Sequence, residues 1–346
     1  MENIQIKVTI GMPVYQVEDY VRNSLKCALE QDLDPIEILI IDDCGTDSSM
    51  DIVKQMQREH PNGERIRIIK HQNNLGVAEG RNTIIREARG KYIFFQDSDD
   101  LINTDSLSCL YQAAEDYQAE LTYGSTNIIE NNHEKPFITL PYKILIGEDA
   151  LCNYIYSDIH ENIPYSIWNI LIRTDFLRNH HFSFPDFKAG EDLLFNEQMQ
   201  PKVSRAILLP QITYHYLKRP NSLMQFQKRE SINVKEAEDS LRISIIQKNY
   251  CRLVKEKPYY DLKCAKTMKG VFYSVCGILK HRHQLTGTIS DKAIRDSMSH
   301  PARFLDILSF KHLRAINLTF WLMGILPPFF SIALIKFVGK KKGFIK

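Results

Sequence analysis

Short apolar runs alternate with segments of helical spacing over the first 125 residues. Residues 36–41 and 92–95 are apolar runs of strand length, and apolar side chains recur every three or four positions over residues 14–30. Strands that are apolar on both faces and joined by helices indicate a doubly wound, mainly parallel α/β sheet. The predicted strands are 8–10, 36–41, 66–69, 92–95 and 121–123, and the predicted helices are 14–30, 46–59, 78–89 and 107–117.

The pattern becomes less regular after residue 125 and turns helical after residue 228. We expect an α/β domain over residues 1–225, with halves 1–125 and 126–225, then a helical extension over 226–315 and a tail over 316–346. The predicted elements after residue 125 are strands 168–172, 207–209 and 212–216 and helices 191–199, 230–256, 262–280 and 290–298.

The tail is a nearly continuous apolar segment over residues 316–338. Pro327-Pro328 divides it, Lys336 lies inside it, and Lys340-Lys341-Lys342 follow it. Three interpretations stay open: a segment at the membrane interface, a membrane span, and a pair of core helices packed on the domain. We expect peripheral attachment, because the two prolines break a continuous helix and the lysines suit anionic head groups.

Composition excludes several classes of protein. The chain has 346 residues, of which 44% are hydrophobic and 25% charged, which are the proportions of a globular protein and not of a disordered or fibrous one. Its 44 Lys and Arg against 42 Asp and Glu leave no basic excess, so we expect no nucleic-acid partner. The seven scattered cysteines contain no C-x-x-C pair, and the polar residues 1–7 are unlike a secretory leader, so we expect none. We therefore expect reduced thiols and a cytoplasmic location.

Polar clusters follow three of the predicted strands, at residues 13–15, 42–43 and 97–100. In sheets of this kind ligands bind outside the carboxyl ends of the strands. The third cluster places Asp97, Asp99 and Asp100 within four residues. Three such carboxylates repel one another unless they are solvated or neutralised by a cation such as Mg²⁺, which prefers oxygen ligands. The alternative is that these acids cap the helix that follows.

The first two clusters suit a nucleoside. A carboxylate of Asp42 or Asp43 can accept hydrogen bonds from an imide N–H or from ribose hydroxyls, and the ring of Tyr15 can stack on a base. The alternatives are helix capping by the acids and a surface tyrosine in a strand-to-helix turn.

Two further segments begin helices with charged residues. Residues 73–82 form a turn and a helix start with Arg81 one turn in, where a diphosphate can bind, although no dinucleotide fingerprint or P-loop is present. Glu191 and Asp192 follow Gly190 at another helix start, where a carboxylate can act as a general base. The alternatives are an exposed arginine in a solvated loop and plain helix capping.

The order of these motifs resembles that of the family 2 inverting glycosyltransferases with the GT-A nucleotide-sugar fold. The resemblance covers about residues 6–225 and is greatest to bacterial members that build capsule, O-antigen or exopolysaccharide chains. The strings that carry it are VTIGMPVYQVEDYV, EILIIDDCGTDSS, NNLGVAEGRN, GKYIFFQDSDD, AGEDLLFN and YHYLKRPNS.

For the donor, the resemblance implies a nucleotide-activated sugar, most often with UDP. By position, Pro13 and Tyr15 would line the base pocket, Asp43 with Asp42 would contact uracil or ribose, and Arg81 would lie near the nucleotide or diphosphate.

For the metal and the chemistry, the resemblance implies a divalent cation, Mn²⁺ or Mg²⁺. Asp97 and Asp99 correspond to the family's D-x-D, with Asp97 also beside the nucleotide and Asp100 close by. Asp192 corresponds to the catalytic base of the E-D motif, with Glu191 next to it.

One weaker transfer and two departures from the family's pattern accompany the resemblance. Arg219 and Ser222 fall in a loop that closes over the diphosphate in some relatives. Ile170 stands where relatives often have the lysine of W-N-K-L, and Cys44 replaces the more usual glycine after the acid pair.

The resemblance implies a glycan or lipid-linked glycan as the acceptor. From the lysines of the tail we expect an anionic membrane surface as a further partner, at the inner face of the cell membrane, and a homodimer stays open. Two other functions are weighed against it: a sugar nucleotidyltransferase and a non-catalytic membrane-assembly subunit. A nucleotidyltransferase would need a Gly-rich basic loop after the first strand, and this chain has none there. The intact acids at the expected positions argue against a non-catalytic subunit.

Overall fold

The computed structural model of the chain describes residues 5–131, 133–157, 163, 165–219 and 231–345. The chain forms two compact units. The first consists of Met1–Leu151 and Asn162–Arg219, and the second consists of Cys152–Glu161 and Pro220–Lys346. All seven cysteines are free thiols, as predicted.

The first unit begins with a regular alternation of strands and helices. Its first elements are β1 (Val8–Val14), α1 (Val21–Leu29), β2 (Ile36–Asp42), α2 (Ser49–Glu59), β3 (Ile66–Lys70), α3 (Gly76–Glu87) and β4 (Tyr92–Phe95). The strands lie in the order β3-β2-β1-β4 and pair in parallel, as the apolar runs predicted. Helix α1 begins later than predicted, because Gln16 adopts a φ of 51° and directs the chain into a turn before the helix.

The sheet continues beyond β4 with a mixture of directions. The elements are β5 (Leu101–Ile102), α4 (Ser106–Tyr117), β6 (Leu121–Glu130), β7 (His133–Ile138), β8 (Lys143–Ile146), α5 (Ala150–Ser157), β9 (Ile170–Arg173), α6 (Thr174–Asn179), α7 (Glu191–Met199) and β10 (Arg205–Leu217). The order is β4-β9-β6-β10-β5, with β7 beside β6 and β8 beside β10. Strand β9 is antiparallel to both β4 and β6, so the parallel arrangement holds for the first half of the sheet and the second half is mixed.

Strand β10 is one bent strand and not the two short strands predicted. Its pairing with β6 shifts register between Leu208 and Ile212, around Pro210, which has no N–H to donate to a neighbouring strand.

Strands β1, β2 and β4 of the parallel half are buried on both faces, whereas the edge strand β3 is largely half-buried. All seven residues of β2 are buried, as is typical of parallel strands covered by helices on both sides. In the register of the sheet Val14 pairs with Asp42, and Gly11 pairs with Phe95. The polar segments that follow β1, β2 and β4 therefore all begin at the carboxyl ends of neighbouring parallel strands, on the same side of the sheet.

The second unit is helical over its described residues. Its helices after residue 231 are α8 (Val234–Leu253), α9 (Tyr260–Lys280), α10 (Asp291–Ser297), α11 (Phe304–Leu308), α12 (Arg314–Ile325) and α13 (Pro328–Lys341). Phe320 and Met323 of α12, and Ile332 and Ile335 of α13, are buried in one cluster with residues of α9 and α10. The inner faces of both tail helices thus belong to the core of this unit. None of the helices in the described part of the chain is long and apolar enough for a membrane crossing.

Candidate active site

The turn after β4 brings three carboxylates together. Ligand oxygens of Asp97, Asp99 and Asp100 lie within 4.8 Å of one another, and no other His, Cys, Asp or Glu group of this kind occurs among the described residues. Asp97 and Asp99 are partly exposed, whereas Asp100 is fully buried.

Strand β10 holds this turn in place. The Tyr214 hydroxyl donates to Asp100 Oδ2 at 2.8 Å and accepts from the Asp97 amide at 3.1 Å, and the Leu217 amide donates to Asp100 Oδ1 at 2.7 Å. Gln96 Nε2 adds a hydrogen bond to the Asp100 carbonyl at 3.2 Å. Both oxygens of Asp100 are therefore engaged by the protein, which makes this residue part of the support of the turn.

Negative charge accumulates at the turn. Burial raises the pKa of Asp99 to about 6, with a further contribution from Asp97, although Arg219 opposes it. Burial, Asp99 and Asp97 together raise the pKa of Asp100 well above its usual range. A divalent cation with a preference for oxygen ligands would relieve this repulsion, so the donor set fits Mg²⁺ or Mn²⁺.

Arg81 connects the carboxylate turn to the start of α7. Its buried guanidinium donates from Nη1 to Glu191 Oε1 at 2.7 Å and from Nη2 to Asp97 Oδ1 at 3.0 Å. The guanidinium carbon also lies 5.6 Å from the centroid of the Phe184 ring. Two acidic motifs 94 positions apart (191 − 97) thus meet at one side chain.

Nearby acids stabilise the charged form of the Arg81 guanidinium. Burial opposes the charged form, but Asp97, Glu191 and Asp192 outweigh that cost and raise the pKa of Arg81. Sequence reasoning placed Arg81 near the nucleotide and did not find its two carboxylate partners, which are distant in sequence.

The two acids at the start of α7 differ in their surroundings. Gly190 precedes them with a φ of 85°, a left-handed conformation that glycine adopts without strain. Burial raises the pKa of Glu191 to about 7, with Arg81 opposing and Asp192 adding to the rise. Burial also raises the pKa of Asp192. Among the described residues no Lys, Arg or His forms an ion pair with Asp192, whose Oδ1 accepts from the Leu193 amide at 2.8 Å.

Asn82 fixes the segment that leads into α7. Its Nδ2 donates to the Phe184 carbonyl at 3.0 Å, and its Oδ1 accepts from the Phe184 amide at 2.7 Å. The Phe184 ring stacks on Phe195 of α7, with 3.9 Å between the ring centroids. Sequence reasoning missed this role, although an amide that both donates and accepts directly after Arg81 was the available signal.

At the end of β2 the two acids have different partners. Asp43 accepts from the Leu75 amide through Oδ1 at 2.8 Å and from the Gly76 amide through Oδ2 at 2.9 Å, and His71 Nδ1 lies 2.8 Å from Oδ1. Asp43 therefore anchors the start of α3, whereas the capping alternative expected these acids at α2, the helix that directly follows them. Asp42 accepts through Oδ1 from the Cys44 amide at 3.0 Å, and its other oxygen forms no hydrogen bond within the described residues.

The end of β1 lies beside these acids. Tyr15 is 44% exposed, so its ring is accessible to a ligand. Pro13 packs closely on α3, since a Cβ added to Gly80 would lie 3.3 Å from Pro13 Cβ. The close approach explains the glycine at this point of the helix.

Arg219 belongs to the same site. It forms an ion pair with Asp99, and its guanidinium carbon lies 5.4 Å from the centroid of the Tyr20 ring. Ser222, the other residue predicted in this loop, lies outside the described residues.

The W-N pair supports the mixed half of the sheet. Asn169 Nδ2 donates to the Gly124 carbonyl at 2.8 Å, and its Oδ1 accepts from Thr213 Oγ1 at 2.6 Å. The Trp168 ring stacks on Tyr214 at 4.8 Å, the tyrosine that holds the carboxylate turn. Ile170, at the position of the missing lysine, is fully buried in β9.

Comparison with known proteins identifies this arrangement. The sequence model described as glycosyl transferase family 2 matches residues 9–166, which include the carboxylate turn, Arg81 and the ends of β1 and β2. The chain contains a family 2 glycosyltransferase domain. The match favours sugar transfer over nucleotidyl transfer and over a non-catalytic role.

Two curated relatives have similar sequences. The glycosyltransferase GlyA of Streptococcus pneumoniae serotype 4 is 31% identical over 230 residues, 63% of this chain and 31% of that protein. The poly(ribitol-phosphate) beta-glucosyltransferase of Bacillus spizizenii is 29% identical over 216 residues, 61% of this chain and 32% of that protein. The chain spans about a third to two thirds of the length of the first curated relatives it matches.

Two solved structures share the fold. TarS 1–349 of S. aureus, in complex with UDP-GlcNAc, superposes with a TM-score of 0.58 at 18% identity, over 92% of this chain and 90% of that one. The mannosyltransferase PcManGT from Pyrobaculum calidifontis, in complex with GDP-Man and Mn²⁺, gives 0.51 at 13% identity, over 93% and 88%. The chain therefore has the GT-A fold, with a mixed central sheet in its first unit and a helical C-terminal region.

Proposed function

We propose that this family 2 glycosyltransferase moves a hexose-type sugar from a UDP-linked donor to a hydroxyl of a glycan or lipid-linked glycan, with inversion. The observation that carries the proposal is the pair of contacts from Arg81 to Asp97 and Glu191. These contacts bring the carboxylate turn and the first residue of the Glu191-Asp192 pair to one guanidinium, and we assign the general base to this pair. A reaction that releases an anionic group and deprotonates a hydroxyl requires both functions within reach of one substrate.

The donor assignment rests on the edge formed by β1 and β2. The exposed ring of Tyr15 offers a stacking surface for a base, and Asp42 retains an oxygen for an imide N–H or a ribose hydroxyl. Asp43 and Pro13 support this pocket from behind, through α3. TarS in complex with UDP-GlcNAc shares the fold, which supports UDP as the nucleotide.

Asp97 and Asp99 would hold the divalent cation, with Asp100 behind them. The cation, when bound, neutralises the charge that develops on the departing diphosphate. Arg219 brings a further positive charge to the same turn through its ion pair with Asp99. Arg81 keeps Asp97 in place and lowers the repulsion between this turn and the acids of α7.

Asp192 is the proposed general base. It removes the proton of the acceptor hydroxyl while that oxygen bonds to the anomeric carbon, and the bond from that carbon to the diphosphate breaks with the electron pair leaving on the nucleotide. Its raised pKa makes it a stronger proton acceptor than an exposed aspartate, and it has no ion-pair partner among the described residues. Glu191 accepts a hydrogen bond from Arg81 through Oε1, and we assign it to the support of the site.

We propose cell-surface polysaccharide synthesis as the setting, with the acceptor presented at the cytoplasmic face of the cell membrane. The named poly(ribitol-phosphate) beta-glucosyltransferase among the relatives supports a cell-surface polymer as the acceptor class. A lipid-linked acceptor would require the enzyme to work next to a membrane.

Release of nucleoside diphosphate tests the proposal. Purified protein is incubated with Mn²⁺, a panel of UDP- and GDP-sugars and a bacterial lipid-linked glycan extract as acceptor. We expect acceptor-dependent release of UDP from one of the donors, lowered at least about 100-fold by Asp192→Asn. The control Asp116→Asn changes an exposed aspartate of α4 and should leave release unchanged. Release that is equally fast in Asp192→Asn would overturn the proposed role of Asp192.

A further inference from the structure

The C-terminal part of the chain has a charge distribution unlike the rest. The whole chain balances 44 Lys and Arg against 42 Asp and Glu. Residues 307–346 contain no Asp or Glu, and they contain Lys or Arg at positions 311, 314, 336, 340, 341, 342 and 346. An acid-free basic segment within a balanced chain suits an anionic partner.

Helix α13 has an inner face and an outer face. Its inner face is packed in the core of the second unit through Ile332 and Ile335. Its outer face, defined by the exposed residues of the helix, carries both large apolar side chains and lysines. The outer face consists of Phe329, Phe330, Ala333, Lys336, Phe337, Lys340 and Lys341. At 3.6 residues per turn these positions fall in one sector of about 140° on the helix.

The outer face exposes three aromatic rings that have no polar group. Phe329 is 76% exposed, Phe330 59% and Phe337 68%. Solvated helix faces normally carry charged and polar residues, whereas this face alternates phenylalanine with lysine. Because the inner face is already buried in the core, rotation of the helix cannot hide these rings.

The charges indicate what covers this face. A second copy of the chain packed on the same face would bring Lys336, Lys340 and Lys341 of each copy close to one another, with no acid on the helix to neutralise them. An anionic lipid surface accepts both kinds of side chain, since the rings enter the interfacial region and the lysines meet the head groups.

We propose that the outer face of α13 binds the surface of an anionic lipid bilayer and holds the enzyme against it. The inference deepens the proposed function and rests on it, because membrane binding serves the enzyme only if its acceptor is lipid-linked and presented at such a surface. Vesicle binding itself requires neither donor nor acceptor. The two claims can therefore fail separately.

Vesicle co-sedimentation tests the inference on the full chain. Phosphatidylcholine vesicles with and without phosphatidylglycerol are compared for the wild type, Phe329→Ser/Phe337→Ser and Lys340→Gln/Lys341→Gln. We expect binding that requires phosphatidylglycerol, weakened about tenfold or more by either pair of changes and by added salt. Leu253→Ser and Lys235→Gln, at exposed positions of α8, serve as matched controls and should bind like the wild type.

Two readouts keep the outcomes distinct. Thermal unfolding confirms that each variant is folded, and light scattering reports its oligomeric state. The inference is overturned if the variants bind vesicles like the wild type, or if the wild type binds no anionic vesicle. It is also overturned if the substitutions on the outer face of α13 dissociate a dimer and leave vesicle binding unaltered. UDP binding that persists alongside any of these results leaves the proposed function standing. Vesicle binding without UDP binding contradicts the proposed function alone.

Discussion

Arg81 Nη1 lies 2.7 Å from Glu191 Oε1, although 110 positions separate the two residues in sequence. The same guanidinium reaches Asp97 from its other terminal nitrogen at 3.0 Å. An arginine with both terminal nitrogens on carboxylates fixes the distance between two acidic segments, which lysine cannot do with a single ammonium group. The predictions on Arg81, Glu191 and Asp192 follow from this bridge.

Replacement of Arg81 tests the bridge. Arg81→Met leaves Glu191 buried without its cation, so we expect a loss of about 3–5 kcal/mol in the free energy of unfolding, measured with urea. Arg81→Lys should keep part of that stability and still lower kcat/KM about 100-fold, because the acids lose their spacing. The control Arg86→Met, on the exposed side of α3 beside Glu79, should cost no more than about 1 kcal/mol. Equal losses in Arg81→Met and Arg86→Met would contradict the account.

The two acids of α7 should behave differently when neutralised. Asp192→Asn should lower kcat at least about 100-fold and leave stability at pH 7 unchanged or slightly increased, because burial already disfavours the ionised form. Glu191→Gln should lower activity less than Asp192→Asn, and its effect on stability should depend on pH, because burial disfavours the ionised form of Glu191 while the hydrogen bond from Arg81 favours it. Steady-state kinetics and urea unfolding of both variants check this division. A larger kinetic loss in Glu191→Gln than in Asp192→Asn would exchange the proposed roles.

The raised pKa of Glu191 predicts a pH dependence of stability. Its pKa is about 7 in the folded protein against 4.5 for an unperturbed glutamate, so the folded state binds the proton more tightly than the unfolded state. The contribution of this group to stability is therefore fully present below pH 4.5 and is lost as the pH rises through 7. The difference in unfolding free energy between the wild type and Glu191→Gln should change over this window and level off above it. A difference that is constant from pH 4.5 to pH 8 would contradict the assignment.

Asn82 is predicted to act as a positioning residue. Asn82→Asp keeps the acceptor and removes the donor to the Phe184 carbonyl, which loosens the segment before α7. We expect kcat to fall about tenfold while the affinity for UDP stays the same. The change affects the segment that positions the proposed general base and leaves the nucleotide pocket unchanged. Asn73→Asp, in the exposed turn before α3, is the matched control. Equal falls in UDP affinity and kcat would indicate general unfolding of the site.

Much of the first half of the fold could be predicted from the sequence. Largely apolar runs such as residues 36–41, in which Glu37 is the one polar residue, predicted the buried parallel strands, and their ends correctly located the acidic clusters. Strand direction in the second half could not be predicted, because the apolar run of β9 reads the same in either direction. Strand β7 was missed because its side chains are mostly exposed and polar, and strand β8 was missed because its apolar run, residues 144–146, is only three residues long.

The roles of some site residues could not be predicted either, because a local sequence pattern does not show which distant groups they contact. A carboxylate after a strand is compatible with capping and with ligand binding, and the sequence of Asp42-Asp43 cannot distinguish them. The structure gives the two acids different partners. Asp43 accepts from the amides that start α3, whereas Asp42 accepts from the Cys44 amide and has no hydrogen bond to its second oxygen within the described part of the chain. The bridge from Arg81 to Glu191 depends on contacts across 110 positions, which no local pattern encodes.

The most direct test of the central claim is calorimetric titration of UDP in the presence and absence of Mn²⁺, because it requires no acceptor. The account predicts binding that depends on Mn²⁺, is lost in Asp99→Ala, and is retained in Asp192→Asn and in the control Asp116→Ala. Absence of UDP binding by the folded wild type with Mn²⁺, or equal binding by Asp99→Ala, would contradict a UDP- and metal-dependent donor site at the carboxylate turn.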